Sequence, residues 1–282
     1  MDTIRLSVAL ILLLVSLGCG KKDAAPATKE SKPKDSSGTP TLPTPQANTG
    51  ASSAAALKAA TEFVKSVQDG KATSALLTPE LKRLIAPPEL DADKAVGFSE
   101  HNIQSWLISA KAIVSTGDAK TDFATSDYAI VSMAGKPGTS RLRMLRRENT
   151  WLVDMALLNN MTPNFPMPSG DAAGPAFGAL AFASALQGGN LNQVEWHLSK
   201  AVKAKIAPPL FDSDKDRGYS QSKLKSALND LFGFPVEIAK FAVSGTSASF
   251  EVKGTGPKKM IEFKLVPGST PGEFLIDDLQ QK

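Results

Sequence analysis

The chain has 282 residues, of which 42% are hydrophobic, so it is long enough for one large domain or two domains of ordinary size. Its net charge is only +4 and its aromatic content is 6%. A nucleic-acid-binding protein normally has a clear surplus of basic residues with aromatic residues among them, so these values argue against that class. Cys19 is the single cysteine, which excludes an intramolecular disulfide and a thiolate metal cluster. Two histidines, His101 and His197, exclude a histidine-rich metal site.

The N-terminal segment MDTIRLSVALILLLVSLGCG contains an apolar run from Leu6 to Leu17. This run is shorter than the ~20 residues that span a bilayer, and it fits the apolar region of a secretory signal. The segment ends with Gly18 directly before Cys19, which resembles the signal of bacterial lipoproteins. The resemblance implies a signal peptide over residues 1–18 and a lipidated Cys19 that attaches the protein to a lipid membrane. The alternative is an ordinary signal peptide with a chance cysteine.

The same resemblance bears on location. Gly20, rather than an aspartate, follows the cysteine, which implies the outer membrane with the protein facing the periplasm. Residues 19–50 contain one leucine and are otherwise rich in proline, lysine, serine and threonine. Such a segment buries too little apolar surface to offset its ordering entropy, so we predict a disordered tether behind the lipidated Cys19.

An internal repeat follows the tether. Residues 82–107 align without gaps to residues 203–228, and twelve of the 26 positions are identical. At ordinary composition about one or two positions would match by chance. A spacing of 121 residues is the length of a domain, so we predict a tandem duplication with repeats at 51–158 and 172–282 and a Pro-rich linker at 159–171.

Both repeats have the same predicted order of elements. Helical spacing of apolar residues marks 54–70 and 175–189, a short helix ending at a Pro pair follows, and Ser99 and Ser220 are predicted to cap a third helix. The patterns of strands come next: YAIVSMAG, SRLRMLRR and TWLVDMALL, then VEIAKFAVS, SASFEVKG, KMIEFKLV and EFLIDDLQ. Each repeat is therefore predicted to be α+β, with about three helices followed by three or four antiparallel strands.

This order resembles the NTF2-like (cystatin-like) superfamily, in which helices pack on a curved antiparallel sheet. The segments ENTWLVD and PGEFLID resemble the last strand of that family, because each has a turn, an aromatic residue, two apolar residues and an aspartate. The resemblance implies two tandem NTF2-like domains. Members of the family often pair through their sheets, so it also implies an intramolecular pseudo-dimer.

The segment DSDKDRG places Asp212, Asp214 and Asp216 at alternate positions, as in a calcium loop. Arg217 stands where such a loop needs glycine, and Lys223 stands where it needs an acid. The other interpretation is a polar loop that enters a helix, with acids near the helix N-terminus. We favour that structural role and predict no metal site and no cofactor.

Catalysis has few candidate residues. The NTF2-like resemblance implies that an enzyme of this family would place a histidine or aspartate in the cone-shaped pocket between sheet and helices. His101 and His197 lie on predicted helices, and Asp154 and Asp277 occupy equivalent strand positions in the two repeats. Either aspartate could pair with a base for proton transfer. Repetition of the aspartate favours a structural role instead.

A row of arginines follows from strand alternation. Arg141, Arg143 and Arg147 fall on one side of the strand SRLRMLRR. Such a row can bind an anionic partner, but it more often forms a solvated strand face or pairs with acids on neighbouring strands.

Together these patterns predict a membrane-anchored lipoprotein of the bacterial cell envelope. We expect a non-catalytic ligand-binding or interaction module whose partner is a small molecule or an envelope protein, and no nucleic-acid partner. The alternative is a small-pocket NTF2-like isomerase or hydrolase that uses His101 or His197 with an aspartate.

Overall fold

The computed structural model describes residues 50–136, 138–158 and 165–282. The predicted signal peptide, residues 19–49 of the predicted tether with Cys19, and residues 159–164 of the predicted linker lie outside the described residues. The described chain has a mixed α+β architecture with two four-stranded antiparallel sheets, which agrees with the predicted fold class at that level.

In the first half, helices precede a four-stranded meander. Its helices are α1 (Gly50–Gln68), α2 (Pro79–Ile85), α3 (Asp91–Val96) and α4 (Glu100–Lys111). Its strands are β1 (Ala119–Ala124), β2 (Tyr128–Ala134), β3 (Thr139–Arg147) and β4 (Thr150–Leu157). The strands pair in chain order, each antiparallel to the next, and form sheet 1.

The second half also places its helices before a four-stranded meander, but it has five helices, since α6 stands where the first half has a 3-10 turn at Ser74–Leu76. Its helices are α5 (Ala173–Gln187), α6 (Leu191–Trp196), α7 (Lys200–Ile206), α8 (Asp212–Lys215) and α9 (Gln221–Phe232). Its strands are β5 (Glu237–Ser244), β6 (Ser247–Lys253), β7 (Lys259–Pro267) and β8 (Phe274–Gln281), which form sheet 2 in chain order. Helices α7 and α9 lie 121 residues after α2 and α4 at both ends.

Several short elements were absent from the predicted pattern. Helices α3, α6 and α8 have four to six residues, which is too short to show a helical period. Strand β1 was missed because Lys120 and Asp122 interrupt its apolar alternation. Both side chains contribute to a polar patch on the outer face of sheet 1 that tertiary packing creates.

Equivalent hydroxyl groups cap α2 in the first half and α7 in the second half. The Thr78 hydroxyl accepts the N–H of Leu81 at 3.2 Å, and the Ser199 hydroxyl accepts the N–H of Val202 at 3.1 Å. Each bond satisfies one of the free N–H groups at a helix start. The two caps start α2 and α7 at equivalent positions.

The two predicted cap serines act through their backbones. Ser99 and Ser220 precede α4 and α9, but neither hydroxyl makes a capping bond. Instead, the N–H of Ser99 donates to the carbonyl of Ala86 and the N–H of Ser220 donates to the carbonyl of Ala207, both at 2.9 Å. These bonds close the loops that contain the repeated Pro pair.

The two aspartates of the closing strands lie in bulges. The register between β3 and β4 shifts at Asp154, and the register between β7 and β8 shifts at Asp277, so neither residue has a cross-strand partner. A bulge re-aims the side chain of its extra residue. Asp154 is buried, whereas Asp277 is half-buried.

Each half packs its own helices against the inner face of its sheet. In the first half, Phe63 of α1 and Ile103 of α4 meet Leu142 of β3 in one apolar cluster. The second cluster is richer in aromatic rings, among them Phe182, Phe232, Phe250 and Phe263. These apolar side chains occupy the space between helices and sheet, where the NTF2-like resemblance implies a cone-shaped pocket.

Helix α5 packs against both sheets. Ala179 and Phe182 face the core of the second half, while Phe177 and Leu180 join Ile130 in an apolar cluster on the outer face of sheet 1. All residues from Ala173 to Leu186 are buried. A helix that is apolar all round is stable only when it is surrounded, so this packing explains why α5 has no charged residue.

Candidate functional site

The structure places the four predicted catalytic candidates in different environments. His101 is exposed in the first turn of α4, whereas His197 is 8% exposed at the end of α6. Asp154 is 3% exposed, and Asp277 is half-buried in the other sheet. Of these residues, His197 and Asp154 share a neighbour, Arg143, which lines a small cavity beside His197 and binds Asp154.

Asp154 is fully engaged by side chains around it. The Arg143 Nε donates to Asp154 Oδ2 at 2.7 Å, and the Arg143 Nη2 also donates to Oδ2. The Thr78 hydroxyl donates to Asp154 Oδ1 at 3.0 Å. Charge-assisted hydrogen bonds of this kind are stronger than neutral ones. Asp154 therefore has a structural role, and both of its carboxylate oxygens are already engaged by Arg143 and Thr78.

Arg143 also bridges the two halves. Its Nη1 donates to the carbonyl of Gly272 at 3.2 Å, in the turn between β7 and β8. That turn has six residues, Gly268–Glu273, where the equivalent turn of the first half has two, Glu148 and Asn149. The longer turn reaches sheet 1.

His197 is held neutral. Burial, followed by the positive charges of Arg143 and Lys203, lowers the pKa of His197 to about 3. A general base works best with a pKa near the working pH. With a cation rather than a carboxylate beside it, His197 is a poor base, and the structure does not pair it with Asp154 or Asp277 for proton transfer.

A cleft of about 250 Å³ opens between the halves above this cluster. It is lined by Arg83 and Leu84 of α2, by Arg143, and from the second half by Trp196 and Glu273. Trp196 is 44% exposed, whereas Leu81 in the same lining is buried. Charges of both signs line the cleft, and Asp154 at its wall is already paired.

The three predicted metal candidates have structural partners or face solvent. Asp214 Oδ2 accepts the N–H groups of Leu210 at 3.2 Å and Phe211 at 3.4 Å, which ties the start of α8 to the residues before it. Asp212 pairs with Lys215 at 2.7 Å, and Asp216 is exposed.

The first repeat uses the same arrangement. Asp93 Oδ2 accepts the N–H groups of Glu89 and Leu90, and Asp91 pairs with Lys94 at 2.7 Å. Within the described ranges, no group of three or more histidine, cysteine, aspartate or glutamate side chains is arranged to hold a metal ion.

A second cavity, about 430 Å³, lies at the polar end of the outer face of sheet 1. Its floor is a cross-strand row in which Lys120 pairs with Ser132 and Ser132 pairs with Arg141. One wall is the segment Phe165–Met167. We name this cavity the Arg141 pocket.

Arg141 is buried without a full set of partners. It is 5% exposed, and its Nη2 donates to the carbonyl of Phe165 at 2.5 Å. Its Nε has no hydrogen-bond partner among the described residues. Burial lowers the pKa of Arg141, and the negative charge of Asp122 acts against that shift. A buried guanidinium N–H without a partner is costly.

The sequence contained a signal for this pocket. The sequence allowed three roles for the row of arginines: a solvated strand face, pairing with acids on neighbouring strands, or binding of an anionic partner. The structure distinguishes its members: Arg143 pairs with Asp154, Arg147 is exposed and lies 3.5 Å from Glu80, and Arg141 is buried in a cavity wall.

No family model, no curated protein and no solved structure matches this chain. Over the described residues, no helix combines the length and the apolar character needed to cross a membrane.

Proposed function

We propose that this chain is a lipid-anchored, non-catalytic binding module of the bacterial cell envelope, built from two copies of an NTF2-like domain. The observation that carries the proposal is the state of the buried ionisable residues between the halves. Asp154 is saturated by Arg143 and Thr78, and His197 is neutral beside a cation. A site arranged for proton transfer would leave a base and its partner accessible to substrate.

The duplication is supported by bonds that recur at a spacing of 121 residues. The loop-closing bonds of Ser99 and Ser220, the hydroxyl caps of Thr78 and Ser199, and the equal bounds of paired helices agree with the repeat in the sequence. Helices that precede a four-stranded antiparallel sheet agree with the NTF2-like resemblance.

Contact between the halves supports an intramolecular pseudo-dimer. The outer face of sheet 1 contributes Phe123, Ile130 and Leu145 to an apolar cluster with Phe177 and Leu180 of α5. The two halves use different surfaces in this contact, one a sheet face and the other a helix. Among the described residues, this apolar contact does not include the outer face of sheet 2.

The outer face of sheet 2 is polar. It carries Ser249, Glu262 and Lys264 around a shallow cavity of about 330 Å³. Because sheet 2 does not need an apolar cover there, the chain can remain a monomer while a partner uses this face.

Membrane attachment has a direct test at Cys19. Mass spectrometry of the mature N-terminus from bacterial membranes is expected to find an acylated Cys19. In the Cys19→Ala variant, we expect the protein to move from the membrane fraction to the soluble fraction, because the acyl chains supply the attachment. A mature N-terminus at another residue, without a lipid, would contradict the anchor.

The non-catalytic assignment is tested with a metabolite panel. Thermal unfolding of the full chain is measured with each compound, and each stabilising compound is then incubated with the protein and followed by NMR. We expect a bound compound to raise the melting temperature and to remain chemically unchanged. Conversion that the wild type performs and the His197→Gln variant does not would support the isomerase or hydrolase alternative.

A further inference from the structure

We propose that the Arg141 pocket binds a small organic monocarboxylate, with the carboxylate on Arg141 and an apolar body against the segment Phe165–Met167. This inference rests on the proposed binding function and names the ligand class that the module would take. It depends on the charge of the floor, the shape of the wall and the contrast with the second sheet.

The floor contains one cation, Arg141, that forms no ion pair with an acid of the described chain. Asp122 is the buried acid in this region, but its carboxylate already accepts the Ser132 hydroxyl and lies 3.0 Å from Lys120 Nζ. Arg141 forms no ion pair in the described chain, and its Nε–H is free. A carboxylate is the planar acceptor that best matches a guanidinium edge.

The charge of the rim limits the ligand to a single negative charge. Asp118 lines the pocket in an exposed position, and Asp122 is adjacent to the floor. A dianion such as phosphate would meet the repulsion of both carboxylates, while a monocarboxylate balances Arg141 alone.

The wall is apolar and fixed in position. The Phe165 carbonyl accepts from Arg141, and the Phe165 ring meets Phe241 edge-on with ring centroids 4.9 Å apart. Pro166 and Met167 continue the same wall. The Arg141 pocket has a volume of about 430 Å³, which falls within the range of small-molecule sites. The body of the ligand is therefore apolar and of metabolite size.

The second sheet provides an internal contrast. Arg141 corresponds to Glu262 at the repeat spacing of 121 residues, and Glu262 lines the shallow cavity on the outer face of sheet 2. There the acid lies 2.7 Å from Lys282. The cationic floor is thus a feature of the first half and does not come with the repeated fold.

The experiment is calorimetric titration of the full chain with benzoate and with benzamide, which has the same shape without the charge. We expect benzoate to bind and benzamide to bind about tenfold more weakly or not at all. Arg141→Gln is expected to raise the dissociation constant of benzoate by about tenfold or more. Arg146 lies on the same strand, is exposed and hydrogen-bonds Asn149, so Arg146→Gln serves as the control. It is expected to leave the dissociation constant of benzoate unchanged.

A second pair of variants covers the case in which Arg141→Gln does not fold. Ala134 is exposed and lines the pocket, so its substitution should leave the core intact. We expect Ala134→Asp to weaken benzoate binding through charge repulsion. Asparagine has the shape of aspartate without its charge, so Ala134→Asn should preserve benzoate binding.

Three results would overturn the proposal. They are equal binding of benzoate and benzamide, an equal effect of Ala134→Asp and Ala134→Asn, and binding of inorganic phosphate as tight as that of benzoate. The result is separable from the lipid anchor, because the Cys19→Ala variant retains the pocket and should titrate with benzoate as the wild type does.

Discussion

At the scale of single residues, Arg143 connects parts of the chain that are far apart in sequence. It binds Asp154 on the neighbouring strand and the Gly272 carbonyl from the other half, and its charge lowers the pKa of His197. Removing one member of a buried ion pair leaves the other charge uncompensated, whereas removing both can be nearly neutral. We therefore expect Arg143 and Asp154 to affect the stability of the fold mainly through the balance of their charges.

The pair is tested by a double-mutant cycle. Because the Arg143 and Asp154 side chains are 7% and 2% exposed, we expect Arg143→Met to lower the free energy of unfolding by about 3 kcal/mol. Asp154→Asn should also destabilise, and the double variant should lose at least about 1 kcal/mol less than the sum of the two. Urea unfolding followed by tryptophan fluorescence measures each value.

The exposed Arg147→Met on the same strand serves as the control, since its partner Glu80 lies 3.5 Å away at the surface. It should change the free energy of unfolding by about 0.5 kcal/mol or less. Additive effects of Arg143→Met and Asp154→Asn would show that the two side chains are not coupled.

His197 gives a prediction about pH. The pKa of His197 is about 3 in the folded chain and 6.5 in its ordinary state, so the unfolded chain binds a proton first as the pH falls. Stability is therefore full above about pH 6.5 and decreases toward pH 3. Between pH 7 and pH 4.5 we expect the wild type to lose about 2 kcal/mol more than His197→Gln does.

Urea unfolding at each pH tests this difference in slope, which does not depend on the absolute stability of the variant. The control is His101→Gln, because His101 is exposed. It should keep the pH dependence of the wild type. Equal slopes for the wild type and His197→Gln would disprove burial of a neutral histidine.

At the scale of elements, α5 is shaped by contact with two sheets. On one side it touches β8 so closely that glycine is needed: a Cβ on Gly178 would lie 2.8 Å from the Cβ of Phe274 and 2.9 Å from its carbonyl oxygen. On the other side, Phe177 and Leu180 cover sheet 1. Helix α1, by contrast, carries exposed charged residues such as Lys58 and Glu62.

The close approach of α5 predicts the effect of Gly178→Ala. Alanine favours a helix by about 1 kcal/mol over glycine. Here we expect a net loss of about 1–3 kcal/mol in the free energy of unfolding, because the added methyl group overlaps the backbone of β8. Thermal or urea unfolding gives the measurement.

Gly50→Ala in α1 is the matched control, since a Cβ there would meet nothing within 4 Å. That variant should be as stable as the wild type or slightly more stable. If Gly178→Ala is also stabilising, α5 does not lie against β8 as described.

At the scale of the whole molecule, each half depends on the other for cover. The outer face of sheet 1 carries apolar side chains that α5 shields, namely Phe123, Tyr128, Ile130, Leu145 and Leu157. The turn at Gly272 adds to this contact, because a Cβ there would lie 2.3 Å from the Tyr128 ring. A single half would expose an apolar face that is costly in water.

We therefore expect residues 51–158, produced alone, to self-associate or to be much less stable than the full chain. Light scattering coupled to size-exclusion chromatography measures the oligomeric state, and circular dichroism follows unfolding. Adding Ile130→Lys should suppress the self-association of the isolated half, yet the same change should destabilise the full chain, where Ile130 is buried under α5.

A stable monomer of residues 51–158 without the lysine substitution would contradict this dependence. The two halves would then be separate modules joined by the linker, and the pseudo-dimer would be excluded.

The spacing of apolar residues predicted secondary structure correctly where a pattern fits only one local conformation. Apolar spacing and the Pro pair predicted α2 and α7, and alternation predicted seven of the eight strands. The missing strand, β1, contains Lys120 and Asp122, and Asp122 gains its contact with Ser132 only when β2 lies beside β1. Its strand character depends on neighbours that a local pattern does not include.

The sequence by itself determined the repeat, the α+β order of elements and the set of residues capable of chemistry, because these depend on local spacing and residue type. Tertiary structure alone decided which of those residues remain available. Arg141 and Arg143 are two positions apart and look alike in sequence, but Asp154 neutralises one while the other lines a cavity. Burial and charge pairing arise from contacts between distant segments, so the sequence pattern of two arginines cannot tell a structural cation from a binding one.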